Sequence, residues 1–396
     1  MNHLQEKLKN NIIAEYFYSF INNLSMSSSI WVLYLTYKGM NLMQIGLLEG
    51  VYHLTSILFE IPSGAAADLL GRKKTLIVSR ILMVISCIIM LFADSFLGFA
   101  LSFFFQALSG NFNSGAEEAL LFDSLKLLGK EDHYLSVSGR INTLLEISQG
   151  IATVVGGILA EYSYTYCYLT CIIIALLGLV PALIMTEPPI EPTETPTAKK
   201  RVSQIVKEHF ITSSDVLKKD KTLLHLILYY SVIFSAYTLL FFYSQQYFYD
   251  HGLNKIQISI VMFFAGIVAC LGALLSEQLY SKYGKKITLL GACLIALSVL
   301  AFSLNHLSVA IGALLIATFF NSLLYPIQSN SLNQRIPSAQ RATLISVNSM
   351  FFSVFMILFF PMVGALADMI GLAHAFFIIG VIVLIIALIS YQALES

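Results

Sequence analysis

The chain has 396 residues, of which 57% are hydrophobic and 12% are charged, and its formal net charge is zero. Its mean hydropathy of +0.77 reflects more apolar surface than one soluble core could bury, which excludes a soluble globular protein and predicts an integral membrane protein. The balanced charge without a basic stripe excludes a nucleic-acid partner. The five cysteines fall in apolar segments without a C-x-x-C pair, so we expect no disulfide, no metal site and no cofactor.

Long apolar segments dominate the sequence from end to end. A bilayer core of about 30 Å requires about 20 largely apolar residues per helix, and this length predicts an all-α membrane protein with twelve transmembrane helices. The predicted spans are 11–37, 43–67, 74–93, 96–122, 136–160, 163–186, 222–248, 256–280, 286–304, 308–334, 341–368 and 371–394. A proline-rich segment, Glu187-Pro-Pro-Ile-Glu-Pro-Thr-Glu-Thr-Pro196, separates the sixth and seventh spans, because such proline density forbids regular helix. We therefore predict a six-helix bundle at 1–186, a cytoplasmic linker at 187–221 and a second six-helix bundle at 222–396.

A short charged turn follows the second predicted span, in the stretch Gly64-Ala-Ala-Ala-Asp68-Leu-Leu-Gly71-Arg72-Lys-Lys74. Glycine at 71 permits a backbone reversal, and the three consecutive cations place the turn on the cytoplasmic side. The pattern Gly-x-x-x-Asp-x-x-Gly-Arg-Lys between a second and a third span resembles the loop signature of major facilitator superfamily transporters. That resemblance implies two pseudo-symmetric bundles that rock about a central substrate site.

The same resemblance implies a gating loop formed by Gly64, Asp68, Gly71 and Arg72, together with Asp123. In the family, the aspartate, here Asp68, meets the cytoplasmic end of the eleventh helix. The arginine, here Arg72, pairs with an acid at the end of the fourth helix, here Asp123. These contacts latch the halves while the cavity faces outward. The alternative is that the loop only fixes orientation through its cations.

The distribution of cations tests this topology. Of the 23 Lys and Arg residues, 20 fall on one side of the predicted spans, with Lys38 and Lys255 opposite and Arg80 near the start of the third span. A wrong span count would scramble this bias, so we expect a cell-membrane protein with both termini cytoplasmic. The two halves also share sequence features. Gly71 in the first half corresponds to Gly284 in the second, and Gly157-x-x-x-Glu161 corresponds to Gly364-x-x-x-Asp368. Repeated halves are typical of transporters with a substrate at their interface.

Acidic residues inside the spans are the candidates for proton coupling, because ionisable groups at bilayer depth are costly. The fourth span carries the densest cluster, Glu117-Glu118, and two adjacent carboxylates in a low dielectric resist ionising together. We favour Glu118, which continues the face of Asn111 and Ser114. This run is similar to one in bacterial facilitator-family members.

Two further spans carry acids on a polar face. The second span places Glu49, His53, Ser56 and Glu60 on one face. Alternatively, Glu49 lies near the outer surface and Glu60 caps local structure before Pro62. The fifth span aligns Asn142, Glu146, Gln149 and Thr153. Its glycines at 150, 156 and 157 partly resemble the glycine-rich fifth-helix signature of antiporters in the family. The alternative is that these small residues serve close helix packing.

Polar and aromatic residues at mid-span depth are the candidates for the substrate cavity. They are Asn22, Asn23, Met26, Tyr229, Tyr237, Asn321, Tyr325, Gln328 and Asn348. Since few of the cavity candidates are charged, they fit an amphipathic organic molecule better than a phosphate or a multivalent anion. Lipid-facing placement is the alternative for any one aromatic residue.

These features favour a monomeric secondary transporter that exports small amphipathic compounds against protons by alternating access. Proton-coupled import of a sugar or another nutrient is the first alternative. A membrane enzyme or a sensor without transport is the second. Neither an H-E-x-x-H motif, a nucleophile elbow nor a phosphate loop is present, which argues against an enzyme. No segment is long enough for a cytoplasmic signalling domain.

Overall fold

A computed structural model describes residues 2–189, 220–335 and 341–395, and these residues are helical without any β-strand. The helices are α1 (Asn2–Asn22), α2 (Trp31–Tyr37), α3 (Leu42–Leu70), α4 (Arg72–Phe92), α5 (Phe96–Leu127), α6 (Tyr134–Tyr162), α7 (Tyr164–Leu177), α8 (Leu179–Ile184), α9 (Lys221–Asp250), α10 (Lys255–Tyr283), α11 (Lys285–Ala301), α12 (Leu307–Arg335), α13 (Arg341–Ile370) and α14 (Leu372–Glu395). Short 3-10 turns cover Glu131–His133 and Phe302–Leu304.

The predicted fold class, an all-α integral membrane protein, is confirmed. Among the described residues, 10 helices are long and apolar enough to cross a bilayer. The two remaining predicted spans correspond to α5 and to the α1–α2 pair. Polar and acidic side chains lower the hydropathy of α5, and a break interrupts the first span.

The first predicted span, 11–37, differs from the structure, because α1 begins at Asn2 and the helix stops at Asn22. The intervening segment reads Asn-Leu-Ser-Met-Ser-Ser-Ser-Ile30, whose Ser and Asn side chains compete with the helix for backbone hydrogen bonds. Local turn bonds replace the helical ladder, for example from Ser25 N to the Asn23 carbonyl at 2.8 Å. Helix resumes at Trp31.

Two compact units divide the chain. The first unit comprises Met1–Ser29 and Val51–Val206, and the second comprises Ile30–Gly50 and Lys207–Ser396, in so far as their residues are described. The start of α3 therefore belongs to the second unit and its remainder to the first. Most of the predicted linker, residues 190–219, lies outside the described part. The division into two six-helix bundles at 186 and 222 stays a prediction.

Serine pairs join α4 and α5 inside the first unit. The Ser79 hydroxyl donates to the Ser109 carbonyl at 2.8 Å, and the Ser86 hydroxyl donates to the Ser102 carbonyl at 2.8 Å. Small residues allow the two backbones to approach closely, and the hydroxyl bonds satisfy polar groups where no water is available. Helices α4 and α5 are thus hydrogen-bonded to each other at two levels of the first unit.

The second unit is built around α9. In its most apolar stretch 67% of α9 is buried, more than in any other candidate span of the described chain. Its tyrosines and phenylalanines pack against α11, α12 and α14 in one apolar core. Gly284 ends α10 with a φ of 56°, a left-handed conformation that favours glycine, and α11 follows directly. The polar residues of this unit are therefore held in place by helices that pack tightly around α9.

Candidate functional site

A buried polar network lies inside the first unit, between α1, α4 and α5. On α5, the Asn113 side-chain amide donates to the Glu117 carboxyl group and its Oδ1 accepts a hydrogen bond from the Tyr18 hydroxyl. Tyr18 is completely buried. Asn113 therefore links α1 to the acidic cluster that the sequence singled out on α5.

Glu15 is the second acid of this network, one turn before Tyr18 on α1. It is 1% exposed, and neither of its carboxylate oxygens accepts a hydrogen bond from a described donor. Its carboxyl group lies near that of Glu117, and the two negative charges disfavour each other. Two carboxylates cannot donate to each other, so a bond between them requires a proton.

Arg80 on α4 supplies the positive charge of the network. It is 3% exposed, and its guanidinium carbon lies 5.4 Å from the centre of the Tyr18 ring. Its charge interacts with that of Glu117. Gly178, between α7 and α8, leaves room for the arginine, since a Cβ there would lie 3.2 Å from the Arg80 Cδ. We refer to Glu15, Tyr18, Arg80, Asn113 and the half-buried Glu117 as the buried network.

Sequence reasoning missed Glu15 and Arg80 as members of a site. The signal was available, because each is an ionisable residue in an otherwise apolar stretch and the two have opposite charge. Helical spacing gives the face of one helix, and only the packed structure shows which neighbouring helix that face meets.

The other acidic candidates are more exposed than Glu15. Glu118 and Glu146 are exposed side chains on α5 and α6. Glu60 is exposed in the first unit, whereas Glu49 is half-buried in the second. A proton-carrying role for these four acids stays a prediction.

Asn111 on the predicted face of α5 is bonded to α3. The Ser56 hydroxyl donates to Asn111 Oδ1, and the Asn111 amide returns a bond to the Ser56 carbonyl, both at 2.8 Å. This reciprocal pair fixes α3 against α5 next to the acidic cluster.

The predicted gating loop lies at the junction of α3 and α4. Gly71 has a φ of 94°, a conformation that favours glycine, and a side chain there would meet the Glu187 carboxylate. Arg72 Nε lies 3.6 Å from Asp123 Oδ2, the pair that the family resemblance implies. Gly64 is exposed on α3, and the side chain of Asp68 lies outside the described residues. The gating role stays a prediction.

Glu187 is a contact of this loop that the sequence did not reveal. Its carboxylate accepts hydrogen bonds from the backbone N–H groups of Arg72 at 2.7 Å and Lys73 at 2.8 Å. The first turn of α4 therefore receives an external acidic cap, which the partial positive charge of a helix N-terminus favours. Glu187 is also the first residue of the predicted linker, 187–221. The linker therefore starts in contact with the predicted gating loop.

Substrate-cavity candidates of the second unit join three helices. The Tyr237 hydroxyl on α9 bonds Thr318 on α12 at 3.3 Å, and the Gln328 amide on α12 donates to Asn348 on α13 at 3.0 Å. Asn321 Oδ1 is buried without a hydrogen-bond donor among the described residues. These groups form an uncharged polar seam.

Two other candidates, Tyr229 and Tyr325, differ strongly from each other in solvent exposure. Tyr229 is 1% exposed within the apolar core, and Tyr325 is 64% exposed. Tyr229 is thus a core side chain, while Tyr325 presents its ring at the surface of the second unit.

The first-unit candidates Asn22, Asn23 and Met26 occupy the break after α1. The Asn23 amide donates to the Ser19 carbonyl at 2.8 Å, closing the last turn of α1. Met26 is buried, and its carbonyl oxygen lies against Gly156 of α6, where a Cβ would overlap it. Met26 therefore serves helix packing here, and Asn22 is half-buried beside it.

The described residues contain no group of three or more His, Cys, Asp or Glu side chains that could hold a metal ion. The cysteines Cys87, Cys167, Cys171, Cys270 and Cys293 are free thiols.

Comparison with known proteins extends these observations. The profile of the Major Facilitator Superfamily matches residues 16–304. The chain is 26% identical over 380 residues to the uncharacterized MFS-type transporter YxaM of Bacillus subtilis (strain 168), covering 93% of each protein.

Solved structures share the fold at low sequence identity. A point mutant of the nucleoside transporter NupG superposes with a TM-score of 0.79 at 12% identity, covering 99% of this chain and 100% of that one. A bacterial homolog of the human lysosomal transporter Spinster gives a TM-score of 0.77 at 16% identity, covering 98% and 97%. A D-xylose-proton symporter gives 0.67 at 16% identity, covering 99% and 98%. Together with the family match over most of its length, these findings show that the chain belongs to the Major Facilitator Superfamily.

Proposed function

We propose that this protein exports small amphipathic organic compounds across the cell membrane in exchange for protons. It works by alternating access, with both termini in the cytoplasm and its sequence halves moving about a central site. The single observation that supports proton coupling is the pairing of the Glu15 and Glu117 carboxyl groups inside the buried network, beside Arg80.

The charge of the network explains why the pair binds a proton. With one proton between the two carboxyl groups, one negative charge remains and Arg80 balances it. Without that proton, the network carries a net negative charge away from water, which is costly in a low dielectric. We propose that substrate exchange is coupled to this one proton.

The character of the substrate follows from the polar seam of the second unit. Tyr237, Asn321, Gln328 and Asn348 offer hydrogen bonds without a formal charge. Tyr237 also packs with aromatic side chains of α9 and α12, such as Phe234 and Phe320, in the apolar core of this unit. A site of this kind favours a molecule with an apolar body and few polar groups, since a phosphate or a dicarboxylate requires cations.

Growth inhibition by a panel of amphipathic toxic compounds, including ethidium, tests the substrate class. Cells that express the protein should tolerate at least one compound at several-fold higher concentration than cells without it. Proteoliposomes carrying an imposed pH gradient should then accumulate that compound, and collapse of the gradient should stop accumulation. Accumulation that ignores the pH gradient would contradict proton coupling, and import of the compound down the proton gradient would contradict export.

A further inference from the structure

Helices α3 and α13 end in the same eight-residue pattern, Gly-Ala-x-Ala-Asp-x-x-Gly. The copies are Gly64–Gly71 and Gly364–Gly371. Both final glycines are left-handed, with φ values of 94° at Gly71 and 85° at Gly371, and each ends its helix. The second copy is fully described, and its aspartate makes a defined contact.

Asp368 caps the N-terminus of α3. Its two carboxylate oxygens accept hydrogen bonds from the backbone N–H groups of Leu42 at 3.0 Å and Met43 at 2.9 Å. The other two free N–H groups are paired locally: Gln44 N–H donates to Asn41 Oδ1 at 2.8 Å, and Asn41 N–H donates to Gln44 Oε1 at 3.1 Å. All four free donors of the first turn are therefore paired, and two of them depend on α13.

Close backbone packing supports this contact. A Cβ on Gly364 would overlap the Leu42 carbonyl, and a Cβ on Gly46 would lie 2.6 Å from the backbone of Pro361. The Tyr243 hydroxyl of α9 lies 2.9 Å from the Leu42 carbonyl oxygen and 3.0 Å from that of Phe360. The start of α3 is thus held by α9 and α13, in agreement with its place in the second unit.

In the proposed topology, the two copies of the pattern belong to opposite faces of the membrane. Helix α3 has 29 residues and is therefore roughly 43 Å long, so Leu42 and Gly71 are separated by a bilayer thickness. Asp368, at the end of α13, meets the Leu42 end. The Gly71 end is cytoplasmic in the proposed orientation, which places Asp368 on the outer face.

We propose that Asp368 is a positioning residue of the transport cycle, an outer latch that holds the start of α3 on α13 and must release it before the outer side opens. The inference rests on the proposed function, because movement of the sequence halves separates residue 42 from residue 368. The family resemblance implies an inner contact for Asp68, and the outer latch is its counterpart.

Distance measurements between spin labels at positions 37 and 369 test the latch without substrate or pH gradient. Both sites are exposed, Tyr37 at 72% and Met369 at 80%. In a background without native cysteines, Asp368→Ala should raise the ratio of long to short distances by about tenfold or more, because two charge-assisted hydrogen bonds are lost. Leu42→Pro, which removes one N–H at a position that tolerates proline, should give a smaller rise.

Asp250→Ala is the matched control. Asp250 is also an exposed acid at a helix end of the second unit, and it accepts a hydrogen bond from Gln246 of its own helix at 2.7 Å. The Asp250→Ala variant should give the same distance distribution as the unmodified protein. The melting temperatures of all variants should agree within a few degrees. An unchanged distribution in both Asp368→Ala and Leu42→Pro would overturn the latch, whatever the transport assay shows. If Asp368→Ala shifts the distribution but the unmodified protein shows no pH-driven transport, the latch is retained and the proposed function is contradicted.

Discussion

At the scale of single residues, Arg80 determines whether the buried network is tolerated. Its side chain is buried, and its guanidinium carbon lies 5.4 Å from the centre of the Tyr18 ring. A buried charge that loses its partner costs more than the pair contributed, because the remaining charge stays unsolvated. The network is therefore sensitive to the loss of one member and less sensitive to the loss of two.

A double-mutant cycle tests this balance. We expect Arg80→Gln to lower stability by about 3–5 kcal/mol, because Glu117 keeps its charge without a balancing cation. Arg80→Gln with Glu117→Gln should recover part of that loss. Thermal unfolding of the purified variants in detergent measures both effects. Additive losses in the double variant would contradict the charge balance.

At the scale of the elements, the break after α1 packs against α6 through Gly156. The Met26 carbonyl occupies the place where a side chain would be. Gly156→Ala should therefore lower stability by about 1–3 kcal/mol, because the backbone of the break has to move. Unfolding in detergent measures the loss.

Gly139 of the same helix is the control for this substitution. It is exposed, and a Cβ there would have nothing within 4 Å. Gly139→Ala should be neutral or stabilise α6 by up to about 1 kcal/mol, because alanine is the better helix former. Equal effects at the two positions would show that the close approach of Met26 has no energetic role.

At this same scale, sequence patterns predicted some features better than others. Apolar length predicted nearly every span, because each membrane helix must bury its backbone polar groups internally. The break at 23–30 was missed, since a run of Ser and Asn is also compatible with a polar face of a helix. The caps at Glu187 and Asp368 could not be predicted, because each acid is more than a hundred residues from the helix that it caps.

At the scale of the whole molecule, the two units differ in the charge of their polar clusters. The described part of the first unit contains the Glu15–Glu117 pair and Arg80, whereas the polar seam of the second unit is uncharged. The sequence indicated this division by the acids of its first half, but it favoured Glu118, which is exposed. Glu117 and Glu15 came together only through the packing of α1 on α5, which no single-helix pattern encodes.

The proton carried by that pair is the central claim, and proton flux in proteoliposomes tests it directly. A pH-sensitive dye such as pyranine inside the vesicles should report proton movement when an exported compound, such as ethidium if the growth screen identifies it, is added. The double variant Glu15→Gln, Glu117→Gln should abolish that movement, because the paired amides cannot take up or release a proton. The variants Glu118→Gln and Glu146→Gln show whether the exposed acids contribute. Proton movement of unchanged size in the Glu15→Gln, Glu117→Gln double variant would contradict the account.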